Sequence, residues 1–185
     1  MRGTILLLSS QFKQVLFNQR RSLIFLWLAL FALAVIFPSL RDTLLQHLPP
    51  ARKNYPYAEF IRILIWMVAL LTAGFLVWSK NRFYSAETIF QGSKVLGPAK
   101  TLKGESPMEK GTARVVSYYR TRMVRAFVLA ETPAVYGLLL DLTGDYSWDQ
   151  RLLSALSAAL LIFFYPSRLF FEELLEKCER REIET

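Results

Sequence analysis

The sequence predicts an all-α polytopic membrane protein, with four transmembrane helices and an amphipathic surface helix at each end. Three observations lead there. First, 53% of the 185 residues are hydrophobic, and they gather in long runs rather than in the periodic pattern of a soluble core. Second, Lys and Arg outnumber Asp and Glu by 23 to 15, and the basic residues collect beside the apolar runs. That placement is the pattern of topology signals and anionic-lipid contacts. Third, Cys178 and His47 are the only cysteine and histidine. An intramolecular disulfide and a zinc cluster are therefore excluded, and no cofactor is expected.

Residues 1–21 form the first element. Ile5, Leu8, Phe12, Val15 and Leu16 recur at helical spacing, with Lys13, Gln14 and Asn18 off that stripe. This predicts an amphipathic helix on the membrane surface over residues 4–20. The apolar core Ile5–Leu8 is short and no small-residue cleavage site follows it, which argues against a signal peptide. A four-helix transmembrane domain follows over residues 22–170. Span one covers residues 22–39, entered from Arg20 and Arg21 and ended by Pro38. Pro49, Pro50 and Pro56 exclude regular helix from the connection 40–58. Span two covers residues 59–79, with Arg62 one turn in and able to snorkel outward.

The cytoplasmic loop 80–123 is the only long polar stretch. Gly92, Gly97, Pro98 and Gly104 predict that no long helix survives in its first part. Ser106-Pro107-Met108-Glu109 is a helix start, with a cap, a proline at the first helical position and a capping-box glutamate. It predicts one long helix from Pro107 into span three, residues 124–143. A tight turn at 144–148 leads to span four, residues 149–166. The tail 171–185 carries another apolar stripe, with Glu173–Lys177 and Glu176–Arg180 spaced for i,i+4 pairs. It reads as a surface or partner-binding helix.

Basic residues orient the chain. Four Lys or Arg precede span one, three lie in 40–58, ten in 80–125, one (Arg151) follows span three, and four lie from Arg168 onward. Both termini and the long loop are therefore expected in the cytoplasm. Tyr118 and Tyr119 lie within the basic stretch without any nucleic-acid motif, so anionic lipid headgroups, not nucleic acid, are the expected partner of that charge.

Glu131 is the residue that most invites a functional reading. A carboxylate in hydrocarbon is costly when ionised, so it protonates, finds a partner or faces water. Pro133 frees the carbonyl of Leu129, and Ala126, Ala130, Ala134 and Gly137 form a small-residue strip beside Glu131 where another helix can approach. Ser154–Ala158 and Ala155–Ala159 on span four are expected to face that strip. Counting depth from the cytoplasmic boundary puts Thr72 and about Leu161 level with Glu131, which makes Thr72 the expected polar partner and Tyr165 the second choice. Glu131, Pro133, Tyr136, Gly137 and Thr72 are the candidate intramembrane functional or partner-binding residues; no residue is assigned to catalysis or to a metal.

Two resemblances accompany these residues. The run Met123 to Leu138, with Glu131 at its centre, resembles the carboxylate-bearing helix of the rotary ATP synthase c subunit, which implies an ion-binding carboxyl at Glu131. Ala130-Glu131-x-Pro133-Ala134-x-Tyr136-Gly137-Leu138, the Leu142–Asp145 turn and the Tyr165–Arg168 exit are similar to a group of bacterial inner-membrane proteins with no assigned activity. The expected function is a non-catalytic inner-membrane scaffold or accessory subunit that meets other membrane subunits or its own copies. The alternative is an ion- or proton-coupling component that uses Glu131. No carboxylate pair, histidine cluster or activated nucleophile shares a depth, which argues against an enzyme.

Overall fold

The computed structural model describes residues 10–45, 57–95, 107–144 and 146–183, and every element among them is helical: α1 (Ser10–Leu45), α2 (Ala58–Phe83), α3 (Ala86–Val95), α4 (Pro107–Gly144), α5 (Ser147–Phe163) and α6 (Arg168–Ile183). Four stretches are long and apolar enough to cross a membrane: Phe12–Ser39, Ala58–Arg82, Glu109–Leu142 and Ser147–Cys178. The expected residues 4–9 of the first helix, and the proline-rich part of the first connection, lie outside the described residues.

The expected separation of a surface helix from span one does not occur. α1 runs through Arg20, Arg21 and Ser22 without interruption. Arginine is a good helix former, and the Ser22 hydroxyl turns back to the Gln19 carbonyl at 2.8 Å instead of opening the helix. α4 starts at Pro107, as the start signal predicts, and its 38 residues carry it about 57 Å. α3 is a helix where glycines argue against one. Ser85 caps it, accepting from the Thr88 N–H at 3.2 Å. Gly92 inside it has a packing reason: a Cβ there would stand 2.5 Å from the Tyr118 hydroxyl.

Two compact units divide the chain. Unit 1 comprises residues 1–25, 79–125 and 166–185. Its apolar interior is built from Phe12, Leu16, Ile89, Tyr119, Phe171 and Leu174, all buried. The Tyr119 ring lies 5.5 Å from Phe170 and 6.2 Å from Phe171, and α3 packs against α6. The tail stripe is thus covered within unit 1, with Phe171, Leu174, Leu175 and Cys178 inside. Val15, expected on the apolar stripe of α1, is exposed, while Phe12 and Leu16 are buried. Tyr84 donates to the Arg122 carbonyl at 2.8 Å. Burial pushes that phenol up to about 12, so it keeps its proton, and its bond, across the ordinary pH range.

Unit 2 comprises residues 26–78 and 126–165, so α1, α2, α4 and α5 each contribute a membrane-length segment. α5 bonds or packs against each of the others. Tyr165 N–H bonds back to Ile162, leaving the Leu161 carbonyl to accept from the Trp27 indole of α1 at 2.7 Å. Gln150 donates to the Phe37 carbonyl of α1 at 2.8 Å. Ala69 of α2, Leu140 of α4 and Leu153 of α5 form a buried cluster. Outward from these contacts stand Leu28, Ile36, Leu71, Phe75, Val128 and Ile162, all exposed and all apolar. In water such a surface would be unfavourable; against lipid tails it costs nothing.

Candidate functional site

The small-residue strip of α4 is buried, and its Gly137 meets α5. Ala126, Ala130 and Ala134 are buried, and a Cβ added at Gly137 would stand 3.1 Å from Gln150 Cα and 3.1 Å from Leu153 Cβ. Only glycine leaves the backbone of α5 that close. On α5, Ser157 meets Glu131 and Ser154 is buried; Ala158 is half-buried, and Ala155 and Ala159 are exposed. Of the two expected small-residue pairs, Ala155–Ala159 therefore faces outward.

Glu131 lies on this interface and is 7% exposed. Its Oε2 accepts from the Ser157 hydroxyl at 3.1 Å, and Ser157 is fully buried. Its Oε1 and the Ser154 hydroxyl, both buried, have no partner among the described residues. The site is thus a buried carboxyl with one oxygen bonded to Ser157 and the other unsatisfied. Chemically it can hold a carboxyl in a fixed orientation, accept one donor and offer one more lone pair.

The expected partner is corrected here. Thr72 does not meet Glu131: its hydroxyl bonds the Val68 carbonyl of its own helix at 2.8 Å. Threonine readily satisfies itself in this way inside an apolar helix. Tyr165, the second choice, has its ring edge on Trp27 at 5.1 Å. Equal depth says nothing about which face of a helix a residue occupies. The tight α4–α5 hairpin does, because residues equidistant from Gly144 along the chain stand opposite each other, and Glu131 and Ser157 are such a pair. Pro133 and Gly137 are buried on α4 as well, while Tyr136 is half-buried.

A second polar cluster went unread in the sequence. Arg62 does not snorkel outward but pairs with Asp149 of α5, Nε to Oδ2 at 2.8 Å. The Trp66 indole, one turn along α2, donates to Asp149 Oδ1 at 2.8 Å. Arg62 also reaches Glu59 at 3.4 Å and lies over the Tyr146 ring at 5.2 Å, and the Tyr146 hydroxyl donates to Glu59 at 3.2 Å. The signal was available: in a four-span chain spans two and four start on the same side, and Arg62 and Asp149 both lie near those starts. Among the described residues no group of three or more His, Cys, Asp or Glu is placed to hold a metal ion.

Comparison with known proteins finds no matching family model, no matching curated protein and no matching solved structure.

Proposed function

We propose that the chain is a non-catalytic integral protein of a bacterial inner membrane, a scaffold or accessory subunit with both termini in the cytoplasm. The observation that carries this reading is Glu131 itself. Its carboxyl is closed inside the α4–α5 interface, away from solvent, and held by Ser157. That is the position of a group that fixes helix packing. The charge distribution supports the orientation. Unit 1 carries eighteen Lys or Arg against nine Asp or Glu, and unit 2 carries five against six. The basic unit gathers the segments assigned to the cytoplasm, and its Arg21, Arg120 and Arg125 are exposed to water or to anionic headgroups. The apolar outer faces of α1 and α2 are where lipid or further membrane subunits sit.

A proton- or ion-coupling role is the second reading, favoured by one observation. Glu131 Oε1 and Ser154 Oγ are buried with capacity to spare. Two variants separate the readings. If Glu131 is structural, Glu131→Gln keeps abundance and complements a deletion strain, while Glu131→Leu loses abundance. If Glu131 carries protons, Glu131→Gln accumulates normally and fails to complement. The scaffold reading also requires a companion. Purification from native membranes in mild detergent should return a stoichiometric membrane partner or a homo-oligomer, and a lone monomer would refute it. In a Cys178→Ala background, Gln91→Cys should resist an impermeant thiol reagent in intact cells and Ser147→Cys should react; the reverse labelling would overturn the orientation.

A further inference from the structure

The strongest unexplained feature outside the Glu131 site is the cluster around Asp149, and we infer that it is a latch that fastens α2 to the α4–α5 hairpin and can release it. In a bilayer, apolar burial does not hold one helix to another, so docking rests on close packing and on interhelical hydrogen bonds. α2 has little of the first. Within unit 2 its fully buried hydrophobic residues are Ala69 and Leu76, and most of its remaining apolar residues face outward. It has a concentrated supply of the second. Arg62 and Trp66 both converge on the Asp149 carboxylate at 2.8 Å.

The same geometry provides for opening. Arg62 is shared between two carboxylates, Asp149 on α5 at 2.8 Å and Glu59 on its own helix at 3.4 Å. Glu59 moves with α2, so a guanidinium that leaves Asp149 is still paired. Glu59 is exposed, with a side chain 71% accessible, so the released pair is also hydrated. Trp66 is on α2 as well, so release takes both donors from the Asp149 carboxylate. Glu59 is therefore a competitor for Arg62, and Asp149 is the docking residue; the bond that Glu59 accepts from Tyr146 of the hairpin can be kept by the amide oxygen of Gln. Tyr146, whose hydroxyl bonds Glu59 and whose ring lies under Arg62, is the remaining group facing the latch among the described residues.

Spin labels on two outward residues of unit 2, Leu71→Cys on α2 and Leu152→Cys on α5, read the separation directly. The full chain is measured in nanodiscs in a Cys178→Ala background by pulsed dipolar spectroscopy. The parent should give one narrow distance. Arg62→Gln and Asp149→Asn should each add a longer population comparable in size to the short one, and Trp66→Phe a smaller one. Glu59→Gln, which removes the competitor, should keep the single short distance. Arg151→Gln, which loses a charge that lies over Trp148 and not in the latch, should do the same. The latch is refuted if Arg62→Gln leaves the distribution unchanged, if Glu59→Gln opens the bundle, or if Arg151→Gln opens it equally. Should Asp149→Asn fail to fold, Arg62→Gln decides alone, because the Arg62 side chain is already 40% accessible.

Discussion

Arg180–Glu176 in unit 1 and Arg62–Asp149 in unit 2 are the same chemical pair at nearly the same distance, 2.6 and 2.8 Å. Their surroundings differ. The first joins two residues one turn apart on the surface of α6, with both side chains about half or more accessible. The second joins residues on different helices, and Asp149 is buried. Water screens the first and competes for it; little water reaches the carboxylate of the second. The two units repeat that contrast throughout. Unit 1 spreads many charges over its outside and fills its interior with aromatic and aliphatic side chains. Unit 2 places few charges, turns its apolar residues outward, and puts glycine, alanine, serine and hydrogen-bonded ionisable groups between helices. One chain thus uses two interior solutions, each suited to a different solvent.

The largest expected effect breaks the small-residue solution of unit 2. Gly137→Leu puts a branched side chain where even a Cβ would stand 3.1 Å from α5 backbone. Rigid helix backbones cannot yield as side chains do, so the loss should be at the upper end of overpacking, about 3 kcal/mol or more, read as thermal stability in detergent. A Leu at Ala134, fully buried on the same strip, should cost about 1–3 kcal/mol. Wild-type melting of both would mean that the strip does not face protein.

Next comes the polar part of the same interface. Ser157→Ala removes the hydroxyl that donates to Glu131, leaving a buried carboxyl without its only identified donor. The expected loss is about 1–3 kcal/mol, and Glu131→Gln in the same background should restore part of it, because an amide brings its own donor. Ser154→Ala, at a hydroxyl with no partner among the described residues, should cost less than Ser157→Ala. Equal losses for the two serines would remove the hydrogen bond from the account and leave only packing.

In unit 1 the corresponding test is Gly92→Ala. The obstacle there is the tip of a side chain: Tyr118, which Arg122 holds through Nε at 3.1 Å and through Nη2 at 2.5 Å. A ring can swing where a backbone cannot, but doing so gives up the Arg122 bonds. A loss of about 1–2 kcal/mol is expected, smaller than at Gly137, measured as the melting of the whole chain. A larger loss at Gly92 than at Gly137 would reverse the contrast between the units.

What was legible follows the same division. The all-helical character, the apolar helices and the small-residue face of α4 could be read because each is a local pattern. Ala126, Ala130, Ala134 and Gly137 announce close approach by their size alone, and all are buried. The partner of Glu131 could not be had from depth, because depth is one coordinate and a contact also needs the face. Ser157 follows only once the hairpin register is used. Arg62 reads as a cation able to snorkel because it lies near a helix end; the residue that pairs with it, Asp149, is far away in sequence. α3 was missed for the opposite reason. Its cap, Ser85 with Thr88, is local and readable, but Gly92 argued against the helix, and the Tyr118 ring that makes glycine necessary comes from another element. The continuity of α1 was missed because two arginines read as a boundary, although their helix propensity is high.

The smallest effect closes the comparison at the pair that opened it. Arg180→Gln removes an ion pair that is as short as any among the described residues, yet both of its side chains are solvated, with accessibilities of 70% and 45%. The attraction between them acts through water, and forming it fixes two long side chains. Deletion should therefore change stability by no more than about 0.5 kcal/mol, and raising salt should not alter the variant's melting relative to the parent by a measurable amount. Glu173 and Lys177, at 3.5 Å on the same helix, should behave alike. What holds α6 in unit 1 is its other face, Phe171, Leu174 and Leu175, all buried. Leu174→Ala, fully buried, should cost about 2–4 kcal/mol in the same melt. If Arg180→Gln proved as damaging as Leu174→Ala, α6 would be held by its charges, and the contrast between the two units would fail at its simplest point.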